Sequence, residues 1–305
     1  MNARTLSVVA ALTIAVAAPL QAQRERHAPL VLQLPVTART LAMGGLTAAT
    51  RDVESVFGNP ALVGGSNALS LSLGRYASGA STGHLATAMN VGMLGVGVGV
   101  TLLDAPQLVA GRALTSDVLT DEGHVAASNM AATVAASLAW KGFRWGAAAR
   151  YLESRTASAR GGAPSFDLGV AKDLLFGRLT SGLVLQYMGR DLPNRVDSRT
   201  LPVRVALGVA GGGQNLGKWF DIGAAANVAV REDGEVYPTA GGELSWVPYE
   251  GVSVTVRGGG RRPELRAQRP LTGGVGVQLD RLSLDYGWED MRGKGGAHRV
   301  TLRLR

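Results

Sequence analysis

The sequence predicts an all-β protein, a transmembrane antiparallel β-barrel of about 14 strands with an N-terminal plug or hatch segment in its lumen. Three observations predict it. From Ala68 onward, apolar residues recur at every second position in short runs, the signature of strands that present one apolar face. The opposite face carries Gly, Ala, Ser, Thr and isolated charges instead of a second set of bulky side chains. The connections alternate between very short and longer ones, as they do in barrels with short periplasmic turns and longer outer loops.

Composition narrows the alternatives. Charged residues make up 18% of the chain and aromatics 5%, while 42 of 305 residues are Gly, about double the usual share and without a collagen-like period. Low charge with abundant Gly and Ala argues against disorder. The formal charge of +8 raises the question of nucleic acid. The basic residues are scattered along strands and loops, however, with clusters only at 24–26 and 261–262, and no nucleic-acid footprint results. The absence of Cys fits an exported protein that does without disulfides.

Taken in order, residues 1–22 read as a secretory signal. Arg4 supplies the positive start, Leu6 to Ala18 an apolar stretch too short to span a bilayer, and Leu20-Gln21-Ala22 a small-residue cleavage site. Residues 23–67 are neither a strand ladder nor an amphipathic helix. Met43-Gly44-Gly45 allows positive φ and close packing, and Asn59-Pro60 marks a turn. A compact, small-residue segment ahead of a closed sheet reads as a plug. Residues 68–305 form the barrel. Its clearest strand alternates Leu94, Val96, Val98, Val100 and Leu102 with Gly95, Gly97, Gly99 and Thr101. The other runs extend from Leu69–Leu73 to Val300–Leu304.

The turns at Gly92, Lys141-Gly142, Asp173 to Arg178, Gly211 to Lys218, Pro248 to Gly251 and Asp280-Arg281 fall on one side. The longer gaps, Asp104 to His124, Arg155 to Gly162, Gly189 to Thr200, Arg261 to Arg269 and Met291 to Gly296, fall on the other. Both termini then face the short-turn, periplasmic side. Trp140, Trp145, Trp246, Tyr249 and Trp288 gather near strand ends, as in interfacial girdles.

Strand charges belong in the lumen, since a lipid-facing Arg at mid-membrane costs about 2–4 kcal/mol. The candidate lumen network comprises Arg144, Arg150, Asp167, Gln186, Arg204, Asp221, Asn227, Glu243, Arg257, Asp285 and Arg303. Such residues either brace the wall and anchor the plug or line a polar conduit. Within the plug, Arg39 and Asp52 are expected to pair with wall charges, because an isolated buried charge is costly. Met43 either fills an irregular gap or lines an apolar ligand pocket.

Ala38-Arg39, Ala42-Met43-Gly44-Gly45 and Phe57-Gly58-Asn59-Pro60-Ala61 resemble the start of the FadL-like outer-membrane barrels, in particular the PorV/PorQ branch. Thr272–Gly276, Leu282–Tyr286 and His298-Arg299 resemble the end of the same branch. The resemblance implies an outer-membrane location and passive passage of small hydrophobic molecules. It implies as alternatives a PorV-like accessory role in type IX secretion, with exported proteins or a translocon as partners, or a structural barrel without transport. It also implies that Asn59, Pro60 and Ala61 neighbour a ligand path, although a turn into the first strand explains them equally well. Barrels of this class commonly end in an aromatic residue, whereas this chain ends Leu304-Arg305.

No enzyme, cofactor or metal is expected. Gly212 to Lys218 fits G-x-x-x-x-G-K, but Trp219 stands where Ser/Thr is required and no helix follows. His27, His84, His124 and His298 lack metal-ligand spacing, and no G-x-S-x-G elbow occurs.

Overall fold

Period-two alternation can be satisfied in hydrocarbon only by strands whose backbone groups all find partners, and a sheet achieves this by closing on itself. The computed structural model describes residues 29–65, 67–105, 127–156, 160–190, 192, 201, 203–265, 267–292 and 295–305. The expected signal at 1–22 and much of the longer gaps lie outside them. Fourteen strands form one closed antiparallel barrel: β1 (Ala68–Tyr76), β2 (Ser81–Val91), β3 (Leu94–Ala105), β4 (Ala127–Trp140), β5 (Phe143–Thr156), β6 (Arg160–Leu174), β7 (Leu179–Gly189), β8 (Arg204–Asn215), β9 (Phe220–Arg231), β10 (Val236–Tyr249), β11 (Val252–Arg261), β12 (Gln268–Leu279), β13 (Leu282–Met291) and β14 (Gly296–Leu304). The seam is a full ladder, with Leu69 opposite Leu304 through Tyr76 opposite Ala297.

The bulky face points outward on every strand. Leu69, Leu71 and Leu73 on β1, Val98 and Leu102 on β3, and Val300, Leu302 and Leu304 on β14 are all exposed, while Ser70, Ser72, Thr101, Thr301 and Arg303 between them are buried. Among the described residues no second sheet covers the outward face. A closed barrel with an apolar exterior belongs in a bilayer, and the protein is an outer-membrane barrel. Trp140, Phe143, Trp145, Trp219, Phe220, Trp246 and Tyr249 lie exposed near the short turns, and Trp288 near the opposite end.

Two boundaries differ from the expectation. β8 continues to Asn215, so the turn expected at Gly211 shrinks to 216–219. A register shift against β9 between Gly211 and Gln214 absorbs the Gly run, as bulges do. β6 begins at Arg160, because its apolar-poor start still pairs with β5 through Arg155 opposite Arg160.

Residues 29–65 lie against the inward face of the wall. Thr37, Asp52 and Asn59 cap three short helical turns, at Ala38–Ala42, Val53–Val56 and Pro60–Leu62, through their side-chain oxygens. Polar caps suit helix starts because they satisfy orphan N–H groups, and Pro at the first position loses nothing. Leu30 and Val31 pack at the long-connection end, against Tyr76, Leu103 and Leu152. Val63 packs at the other end with Ala68, Ala88 and Ala135. Residue 29, the first described, lies at the end opposite the short turns; the N-terminus, expected on the periplasmic side, lies outside the described residues.

Candidate functional site: the lumen

The inward face is built of small residues because backbone comes close to it. A Cβ at Gly241 of β10 would lie 2.7 Å from the Met43 carbonyl oxygen, and one at Gly287 of β13 would lie 2.5 Å from that of Ala38. On the far wall, Gly146, Gly169 and Gly182 make equally close approaches to Pro60-Ala61, Asn59 and Ala48. The segment spans the lumen from β5–β7 to β10–β14.

Charges facing β10, β11, β13 and β14 form one continuous network. Arg39 donates to Glu243 at 2.8 Å and to Asp52 at 3.0 Å. Arg257 links Glu243 at 3.0 Å to Asp285 at 2.6 Å. Arg303 lies 3.2 Å from Asp52 and 2.6 Å from Glu54. Three guanidinium groups thus face four carboxylates, and Asp52, Arg303 and Asp285 are each only about 3% exposed. Burial is the largest influence on Asp52 and works against its charge, yet Arg303 and Arg39 hold it below the usual carboxylate range. Glu54 is pushed up to about 7, first by burial and then by the Asp52 charge, with Arg303 opposing. Burial works against the Arg39 charge too, but Glu243 and Asp52 raise it above its ordinary value.

A second network sits across the lumen. Asp167 lies at a bulge between β6 and β7, where its carboxylate accepts from the Tyr187 N–H at 2.9 Å and pairs with Arg150 at 2.9 Å. Arg150 also donates to the Phe57 carbonyl at 3.2 Å, and Gln186 to that of Gly58 at 3.1 Å. Asn59 turns inward on its own segment, donating to the Ala48 carbonyl at 2.8 Å and accepting from the Ala61 N–H at 3.0 Å.

The remaining candidates are more dispersed. Arg204 pairs with Glu264 at 3.0 Å and Arg144 with Asp173 at 2.8 Å. Asp221 lines a cavity of about 390 Å³ at the short-turn end, shared with Arg39, Glu243, Arg257 and Asp285. Asn227 is buried on β9 beside Gly208. Gly44 and Gly45 both take positive φ, and Gly44 lies over Gly260. Met43 borders a cavity of about 240 Å³ with Arg39, Arg51 and Glu243, so its surroundings are polar.

Several contributors escape sequence reasoning. Arg299 donates to the Val36 carbonyl at 3.2 Å, Thr301 accepts from the Ala38 N–H at 2.8 Å and Thr272 donates to the Ala42 carbonyl at 3.0 Å. Tyr187 donates to the Leu32 carbonyl at 3.0 Å. Arg299 and Thr301 share the inward phase of Arg303, a signal available in the sequence. Glu54 lies in the short helical turn Val53–Val56 of an irregular segment without periodicity and gives none. Among the described residues no group of His, Cys, Asp or Glu could hold a metal ion.

Neither a family model nor a curated protein matches this chain. Solved structures do. The chain is similar to the Ralstonia pickettii toluene transporter TbuX at 13% identity, with a TM-score of 0.58 over 90% of this chain and 99% of that one. It is similar to a deltaS2 mutant of the TodX monoaromatic hydrocarbon channel at 10% identity, with a TM-score of 0.60 over 88% and 96%. The CymD monoaromatic hydrocarbon channel gives 0.56 over 89% and 97%, also at 10% identity. At these identities the likeness is one of architecture, and the chain is an outer-membrane β-barrel whose fold is similar to that of these channels.

Proposed function

We propose that the protein is a passive conduit for small hydrophobic molecules, with residues 23–67 as its plug. One observation carries the reading. At the long-connection end of the lumen lies the largest apolar cluster among the described residues, where Leu30, Val31 and Leu34 pack with Tyr76, Leu103, Leu152, Leu265 and Met291. Burying one such side chain is worth about 1.5–3 kcal/mol. A hydrophobic solute of similar size replaces that contact at little net cost, which makes the cluster an entry site from which the segment can be displaced. The likeness to channels for toluene and other monoaromatic hydrocarbons supports the same substrate class. The ion-paired network below the cluster then anchors the plug.

A disulfide lock tests this. The chain has no Cys, and a Cβ at Gly208 of β8 would lie 3.0 Å from the Ala48 Cβ, slightly inside the usual disulfide span of about 3.5–4.5 Å. In liposomes, A48C/G208C should take up a hydrophobic fluorophore when reduced and lose that uptake when oxidised. Uptake unchanged by oxidation refutes the plug, and absence of uptake in the unlocked protein refutes the conduit. In that second case, co-purification with exported proteins or a secretion translocon would support the accessory role.

A further inference from the structure

Lysine is rare in this chain, and its placement is uniform. Lys141, Lys172 and Lys218 are all the lysines among the described residues, Lys294 lying outside them. All three sit at the short-turn end, in the β4–β5 turn, near the end of β6 and in the β8–β9 turn. Each ammonium lies over an aromatic ring of the outward girdle. Lys141 is 4.6 Å from the Trp140 ring centre, Lys172 is 4.7 Å from that of Phe143, and Lys218 is 5.1 Å from that of Trp219. None of them forms an ion pair among the described residues. The nearest acid in sequence, Asp173, turns the other way, to Arg51 and Arg144.

Strain accompanies the second pair. The turn after Lys172 holds Leu175 at φ 49° and Phe176 at φ 56°, a region that bulky residues avoid. It leaves both side chains exposed, Phe176 completely. Backbone strain that displays an apolar tip has no folding rationale in water. Beside a bilayer interface it has one.

We propose that this rim is a binding site for anionic phospholipid headgroups of the inner leaflet, the ammonium groups meeting the phosphate while the rings and Phe176 lie among the upper acyl carbons. Short turns face the periplasm in outer-membrane barrels, which puts the rim in that leaflet. A Lys near an anionic surface contributes about 1 kcal/mol, roughly fivefold in binding. Stacking on rings holds three such charges outward with little freedom left to lose.

Quenching of tryptophan fluorescence by brominated lipids measures the preference directly, because Trp140 and Trp219 are part of the rim. Wild-type protein in mixed vesicles should favour brominated phosphatidylglycerol over brominated phosphatidylcholine by at least roughly fivefold. The K141Q/K172Q/K218Q variant should lose the preference while keeping the gel mobility shift of a folded barrel, and the matching Lys→Arg variant should retain it. Equal quenching by the two lipids in wild type, or an undiminished preference in the Gln variant, overturns the proposal. So does loss of the preference in excess inorganic phosphate at constant ionic strength, which would mark a site for free phosphate instead.

Discussion

Gly241 and Gly242 are neighbours on β10 that face opposite sides of the wall, and alanine at each should give opposite results. A Cβ at Gly241 would lie 2.7 Å from the Met43 carbonyl oxygen and 3.0 Å from its Cα, whereas the nearest atom to a Cβ at Gly242 is 3.7 Å away. Neither glycine has positive φ, so alanine adds volume without backbone strain. Relieving the Gly241 contact requires Met43 to retreat by several tenths of an ångström. The atoms it meets are backbone, braced by the Met43 N–H donating to Arg39 and the Gly44 N–H to Leu41. Overpacking of this kind costs about 1–3 kcal/mol, which shifts the docked population of residues 38–45 by roughly 5- to 150-fold. Hydrogen exchange followed by mass spectrometry on peptides covering 38–45 reads that shift. G241A should speed exchange there and leave the strands protected, and G242A should match wild type. Equal protection in both variants would refute the claim that backbone contact dictates the inward glycines.

Other predictions concern the anchoring charges. R303M should destabilise the protein by about 3–5 kcal/mol, because it leaves Asp52 and Glu54 buried without their shared partner; heat-induced gel mobility shifts report the loss, and adding D52N and E54Q should restore much of it. Docking of the segment should also depend on pH. Glu54 is raised when docked, so its contribution is complete below its ordinary value of 4.5 and disappears as pH climbs through about 7. Asp52 is lowered, so its contribution is complete above its ordinary value of 3.8 and disappears only as pH falls below that. Proteolysis within 29–65 should therefore quicken from mildly acidic to alkaline pH in wild type and stay flat in E54Q; a matching rise in E54Q would exclude Glu54 as the source. Y187F removes the bond to the Leu32 carbonyl and should loosen residues 30–34 by about 0.5–1.5 kcal/mol, seen as faster exchange there with an unchanged barrel melting temperature.

The barrel was legible because alternation assigns each side chain to a face independently of its distant partners. Leu94 to Leu102 reads as one outward stripe whichever strand lies beside it, and the inward phase of Arg257, Asp285 and Arg303 follows from the same rule. Which guanidinium meets which carboxylate does not follow, since Arg39 reaches Glu243 only through the register of β10 and the path of an irregular segment. The bulge opposite Asp167 is equally silent: its extra residue is on β7, where Gln186 and Tyr187 are buried in succession, while Phe166, Asp167 and Leu168 keep their alternation. The path of residues 29–65 is silent for a related reason: no period marks where Leu30 packs, and it goes where apolar surface awaits it, at the long-connection mouth.

One last consequence concerns how the cylinder is completed. Arg299, Thr301 and Arg303 are successive inward residues of β14, and each touches the N-terminal segment, at Val36, Ala38 and Asp52 with Glu54. The same strand zips to β1 to finish the wall. A slip of one residue there would swing two arginines into the acyl chains and strip their partners. The N-terminal segment and the closing seam therefore fit one another in a single notch: the contacts at Val36, Ala38, Asp52 and Glu54 exist only while the two edges keep this register.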